Sequence, residues 1–281
     1  MEIIKEEHKL TPEEKWEQAT LANNFIFYKV MRNHQDACKQ LLEMLLGIKI
    51  ESMEMKQEET IALDYDSKGI RLDVFVKETG RMFDVELQVA NTKELPERAR
   101  YYQGVMDVDT LKAGQKYKEL RDSHIIFICL EDVFKNGLPV NTFANICLED
   151  GKTKFGDRTY KHFFFAPLCA KMIEDKEVKA FFEFLISNQA SSSYTDELKN
   201  YVADAKRSTE NKMQFMTWER QRAYDLDAGR EEGIEIGAQQ KAVEDAENFL
   251  RENISEEIIA KCTGLPLEKV LELKEKVSVK A

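Results

Sequence analysis

Polar side chains interrupt two short apolar runs. Asp73 lies in Ile70-Arg71-Leu72-Asp73-Val74-Phe75-Val76, and Glu86 and Gln88 lie in Met82-Phe83-Asp84-Val85-Glu86-Leu87-Gln88-Val89. Both runs alternate with a period of two, which predicts β-strands. Phe83, Val85, Leu87 and Val89 share one face, and Asp84, Glu86 and Gln88 share the other. With a turn at Lys77-Glu78-Thr79-Gly80, Val76 falls opposite Arg81, Asp73 opposite Asp84, and Glu86 on the diagonal from Asp73. Diagonal neighbours lie about 7–8 Å apart at the backbone, with side chains in reach of each other. Carboxylates that close repel unless a cation, a proton or a base lies between them. An all-oxygen pair suits one hard divalent cation. Such an ion can polarise a phosphoryl oxygen, activate water and screen transition-state charge, which is the chemistry of phosphodiester hydrolysis. Gln88 can orient a water or a phosphate but cannot act as a general base.

The following segment could meet the substrate. Arg98, Arg100, Lys112 and Lys116 lie on a predicted helix, where they could contact backbone phosphates. Tyr101 and Tyr102 could hydrogen-bond a phosphate or stack on a base, although tyrosine's apolar body and polar tip equally suit a core boundary. The competing reading of Asp73 and Glu86 is an outward, solvated pair, or one held in a structural ion-pair network. Asp84 reads as a solvated neighbour.

These strands need a scaffold, and composition bounds it. The chain has 281 residues, 43% hydrophobic and 33% charged, with a formal net charge of -11. That supports one sizeable core with an appendage, or two domains. So acidic a chain is not a general polyanion binder; contact with DNA must be local. Five scattered cysteines without a Cys-x-x-Cys pair predict buried free thiols in a reducing compartment. Four scattered histidines do not suit zinc. The charged N-terminal segment is not a signal peptide, and the apolar runs are too short to span a bilayer, so no membrane contact and a cytoplasmic location are expected.

Residues 20–47 predict a helix ended by Gly47, and 48–63 a first strand or irregular edge. After the hairpin, 95–120 reads as one long helix or a broken pair, with Pro96 in its first turn and Gly104 and Gly114 as possible breaks. The continuous apolar run Ile125 to Leu130 predicts a strand buried on both faces and reached by a parallel crossover. The sum is a mixed αβββαβ unit. Residues 142–168 add edge strands, 176–186 a helix, and the polar 187–193 a boundary. Residues 196–250 read as a long helix in which Gly229, Gly233 and Gly237 fall on one face. Such a stripe implies close backbone packing or a deliberately weak stretch. Residues 255–277 form two short helices in helix-turn-helix outline, but their glutamates offset their lysines, which favours a helical cap or oligomer contact over DNA reading.

The order of these segments resembles the Rpn family of recombination-promoting nucleases, within the PD-(D/E)XK nuclease superfamily. The resemblance is carried by Leu72-Asp73-Val74, Val85-Glu86-Leu87-Gln88, Arg98 through Tyr101-Tyr102, the strand around Ile125 to Leu130, the glycine stripe, Ile258-Ile259-Ala260 and Thr263-Gly264-Leu265. It spans about Asn23 to Val277. It implies an α/β fold with a restriction-endonuclease-like mixed-sheet core and a C-terminal helical extension. Its parts are a nuclease-like domain over 1–190, a long helical segment over 195–252 and a small helical hairpin over 253–281. It implies cleavage of DNA with Mg2+, or Mn2+ in its place, in recombination or mobile-element activity. Asp73 and Glu86 take the metal-holding roles. The superfamily's lysine position is Gln88, as is common in the Rpn-like group, and Lys93 or Arg98 could bring a positive charge from outside the motif. Asp36 and Glu43 are candidates for a first-helix acid.

The expected activity is therefore a metal-dependent DNA endonuclease. Asp73, Glu86 and Gln88 are its catalytic set, with Arg98, Tyr101 and Tyr102 on the DNA. The C-terminal helix is expected to join copies of the chain. Two rivals stay open: a catalytically silent DNA-binding or regulatory module on the same fold, and a helical self-assembly protein with the α/β unit as platform.

Overall fold

The computed structural model describes residues 10–55, 60–61, 70–71, 74–78, 80–89 and 93–280. A Thr11 capping box opens α1 (Pro12–Gln18). Asn23 caps α2 (Asn24–Asn33) by accepting from the N–H groups of Phe25 and Ile26. His34 then leaves helical geometry (φ -124°, ψ 78°), so the helix expected over 20–47 is two, α2 and α3 (Gln35–Leu46). Gly47 ends α3 in the left-handed conformation (φ 63°), as its missing Cβ allows.

Strand β1 (Glu54–Met55) is followed by β2 (Thr60–Ile61) and β3 (Ile70–Arg71), which pair with each other. Next come β4 (Val74–Glu78), β5 (Arg81–Gln88), α4 (Leu95–Thr110) and β6 (Asp122–Cys129). After these come β7 (Val140–Phe143) and β8 (Thr159–Phe165). The main sheet runs β1-β4-β5-β6-β8-β7. β4 and β5 are antiparallel, while β5, β6 and β8 are parallel. This is a mixed α/β arrangement of the kind expected, with β5 and β6 in its interior. β8 is interior as well, not an edge strand; its Phe163-Phe164-Phe165 run is buried because β6 and β7 flank it.

The hairpin register differs from the expected one. The ladder continues to Glu78 opposite Arg81, so Val76 faces Phe83 rather than Arg81. The connection is shorter by two residues, Lys77 and Glu78, both taken into β4, and Gly80 takes the positive φ (83°) that so tight a link requires. A shift of two residues preserves the faces. Asp73 itself lies outside the described residues.

The two faces of β5 look to different layers. Met82, Asp84, Glu86 and Gln88 share a face with Phe75 of β4 and with Ile125, Phe127 and Cys129 of β6. Leu95, Ala99, Val105 and Met106 of α4 pack over this face. α4 is a single helix that runs through Gly104 and stops at Leu111 (ψ 113°). Lys112 and Lys116 therefore lie beyond it, toward the start of β6, about 20 Å along the helix axis from Arg98 in its first turn. Phe83, Val85, Leu87, His124, Ile126, Ile128, His162 and Phe164 make the opposite face, with α2 against β4 and β5.

By internal packing the chain divides into two compact units, Met1–Phe215 and Met216–Ala281. The first also holds α5 (Ala166–Met172), α6 (Lys176–Ser187) and α7 (Ser193–Arg207). The long helix expected over 196–250 is broken at Ser208 (ψ 117°) into α7 and α8 (Thr209–Arg251). In the second unit, the end of α8, α9 (Glu256–Thr263) and α10 (Leu267–Lys280) close on Ala246, Leu250, Ile259, Leu265, Val270 and Leu273. Of the cysteines, Cys38, Cys129 and Cys169 are buried, Cys147 is half-buried and Cys262 is exposed, so burial of all five does not hold. Among the described residues no helix is long and apolar enough to cross a membrane.

Candidate active site

β5 carries three oxygen-bearing side chains on the face under α4: Asp84, Glu86 and Gln88. Strand geometry aligns them because successive side chains alternate between faces. α4 starts with Leu95 buried and Pro96 in the first turn, and it lays Arg98 across the end of β5. The Arg98 guanidinium divides its donors. Nη1 donates to Gln88 Oε1 at 2.9 Å, and Nη2 donates to Glu86 Oε2 at 3.1 Å and to the Tyr102 hydroxyl at 3.1 Å. Its carbon stacks near the Tyr102 and Phe127 rings, at 5.3 and 5.6 Å from their centroids. The planar fork explains why an arginine sits here: a lysine ammonium could not span the two acceptors in one plane.

Burial sharpens these contacts. Glu86 is 4% exposed, while the Arg98 side chain is 30% exposed and opens toward solvent. Desolvation, then the nearby Glu86 carboxylate, pushes the Tyr102 phenol up to about 12, so Tyr102 stays protonated and supports Arg98 as a neutral acceptor. Burial also pushes the Cys129 thiol, on the strand beside Gln88, up to about 12. That thiol is a packing group, not a nucleophile.

The expected site residues divide as follows. Glu86, Gln88, Arg98 and Tyr102 come together. Tyr101 is exposed on the next position of α4. Asp73 lies outside the described residues. Asp84, expected to be solvated, is fully buried between Phe75 and Ile125, because β5 is an interior strand covered by α4. Alternation alone suggested a half-exposed strand; the continuous apolar run of β6 was the signal that its neighbour is buried on both faces. Of the first-helix acids, Glu43 accepts from the Ile50 N–H at 2.8 Å and lies 3.7 Å from Lys49, fastening the loop after α3. Asp36 lines a surface pocket of about 680 Å³ along α3 with Lys39, Gln40 and Glu43.

The described site thus joins an acid-x-amide strand of a mixed sheet to a helix arginine. Residues 23–252 match the family of PD-(D/E)XK nuclease family transposases, and the chain belongs to it. No curated protein and no solved structure matches the chain significantly.

Nucleases of this superfamily usually use divalent metals. The Glu86 carboxylate and Gln88 carboxamide are hard oxygen donors of the kind Mg2+ takes. Among the described residues, no three His, Cys, Asp or Glu side chains converge as a metal cluster.

Proposed function

We propose that this chain is a DNA endonuclease dependent on Mg2+, or on Mn2+ in its place, that acts in recombination or mobile-element activity. Asp73 and Glu86 would hold the ion. The observation that carries the reading is the buried Glu86 beside Gln88 and under the half-open Arg98. The ladder pairs Val74, the residue after Asp73 in the chain, with Val85, the residue before Glu86. When bound, the cation would polarise the phosphoryl oxygen and lower the pKa of the attacking water. Gln88 orients that water or a phosphate oxygen. Arg98 brings fixed positive charge to the scissile phosphate, where the superfamily's motif lysine would act. Tyr101, exposed on α4, would meet the DNA strand.

One contact favours a second reading. Arg98 already neutralises Glu86, as it would in a silent DNA-binding module on this fold. Supercoiled plasmid separates the two. The enzyme nicks it with Mg2+, and Glu86→Ala loses at least about a hundredfold of that activity, since a metal's share of catalysis is several kcal/mol. Plasmid that stays supercoiled in both Mg2+ and Mn2+ removes the enzyme reading.

The same proposal includes self-association through α8. Leu226, Gly229, Gly233 and Gly237 fall along one side of the helix, Leu226 is 65% exposed, and a Cβ built on any of the three glycines meets no atom within 4 Å. A second copy of that stripe would give the close backbone approach that three helix glycines imply. Sedimentation of the full chain tests it; a monomer at micromolar concentration removes this part.

A further inference from the structure

Five non-glycine residues among those described have positive φ: Lys93, Lys135, Arg158, Asn188 and Asn253. Asparagine tolerates this conformation. Arg158 is held in place by Asp122 and by the Leu120 carbonyl. Two of the five are lysines, Lys93 (φ 60°) and Lys135 (φ 52°), and both are exposed. They occupy comparable places. Lys93 lies in the connection after β5, and Lys135 in the connection after β6, the parallel strand beside it. Both connections open at the sheet end that carries Gln88, and the Leu130 N–H donates to the Gln88 carbonyl at 3.0 Å. Five residues of chain reach at most about 17 Å, which bounds the distance from Leu130 to Lys135.

The Lys135 turn is fastened by hydrogen bonds. Asp132 Oδ1 accepts from the N–H groups of Phe134 (3.1 Å) and Lys135 (2.7 Å). Asn136 donates to Asn141 on β7 at 2.7 Å and accepts from the Leu138 N–H at 3.1 Å. The Phe134 ring packs on Phe143, Phe163 and Phe165. These contacts hold the turn, and Lys135 is exposed on it. Left-handed backbone at a residue other than Gly or Asn carries strain of a kind concentrated at functional sites. Here it displays a cation at the mouth of a parallel sheet, the end where ligands of such sheets bind.

Building on the nuclease reading, we infer that Lys93 and Lys135 are phosphate contacts that seat the DNA backbone across the mouth of the Glu86–Gln88–Arg98 site. Glu94 and Glu131 sit on the same two connections, so the mouth is not a broad basic patch. That suits an acidic chain that must bind a polyanion at one place only. The contacts position the strand and carry no base sequence.

The test uses the full chain and a labelled DNA duplex in EDTA, so that no strand is cut, with affinity followed against salt. Each phosphate contact contributes about 0.9 to the slope of log K against log salt. Lys135→Asn should lower the slope by about 0.9 and the Lys93→Asn, Lys135→Asn pair by about 1.8, with several-fold weaker binding near 0.1 M salt. Lys135→Arg should keep both. Asparagine suits the left-handed backbone better than lysine, so these variants should melt no lower than the parent, and weakened binding cannot be put down to misfolding. Unchanged slopes and affinities in both asparagine variants overturn the inference, and so does a parent chain that does not bind the duplex. A parent that binds with this lysine-dependent slope yet never nicks with metal overturns the nuclease reading and leaves the two contacts standing. A parent that nicks, with variants that bind and cut alike, does the reverse.

Discussion

The two faces of the central sheet bury polar groups in opposite ways. Under α4, β5 holds Asp84 and Glu86, and Arg98 reaches in from a helix to meet one of them. On the other face, β8 buries His162 and β6 half-buries His124: His124 Nδ1 lies 3.1 Å from His162 Nε2, and His162 Nδ1 lies 3.1 Å from the Thr142 hydroxyl. Their rings continue a stack with Phe83 and Tyr160, at centroid distances of 5.1 and 4.9 Å from His124. Desolvation pushes both histidines down to about 4, aided at His124 by Arg81 and at His162 by His124 itself, so the pair is neutral near pH 7. The same strands thus carry a neutral, mutually satisfied network on one side and charged groups that face a solvent opening on the other. Neutral networks specify a core. A buried carboxylate facing a half-exposed guanidinium costs desolvation free energy, which makes it the better candidate for chemistry.

The largest effect that could break this contrast is at Arg98. Arg98→Met should lower both plasmid nicking and stability. The stability loss should be about 2 kcal/mol, below the ~3–5 kcal/mol of a fully buried pair, because the guanidinium is partly hydrated. Arg98→Lys should recover stability better than activity, since an ammonium cannot bridge Glu86 and Gln88. Urea unfolding and nicking, measured side by side, check this. A variant that loses stability and cuts at the parent rate would make Arg98 a structural group like the histidines.

Acid probes the other face. Because the folded pKa values lie below 6.5, the unfolded chain binds protons at a higher pH than the native one. The stabilisation is therefore complete above pH 6.5 and is lost as pH falls toward about 4. One ring should cost about 2 kcal/mol by pH 5. Thermal unfolding of the parent from pH 7 to 5 should show this decline, and His162→Gln should flatten it. An equal decline in His162→Gln would assign the loss to carboxylates elsewhere.

How far the sequence already disclosed this can be traced residue by residue. Period-two alternation identified β4 and β5, and the apolar run of β6 showed burial on both sides. Glu86, Gln88, Arg98 and Tyr102 were chosen from it, and the fold gathers them. It did not disclose that Gly80 closes a shorter hairpin, because several turn lengths fit the same alternation. It misplaced Asp84, because burial of a strand's polar face depends on whether a distant helix covers it. The His124–His162 pair joins residues far apart in the chain, and no local pattern marks it.

The smallest expected effect is the sharpest separator of the two faces. Thr142→Val keeps the side-chain shape but removes the hydroxyl partner of His162 Nδ1. One hydrogen bond to a buried ring nitrogen is worth about 1 kcal/mol. β7 is an edge strand, so its backbone can adjust without disturbing β5. Stability should fall by about that amount, and metal-dependent nicking and duplex affinity should stay at parent values. If nicking fell along with stability, the histidine network would be a support for the Glu86 face. Side chains of β6 alternate between the two faces, His124 on one and Phe127 under Arg98 on the other, so a strand shift of even a few tenths of an ångström would carry between them.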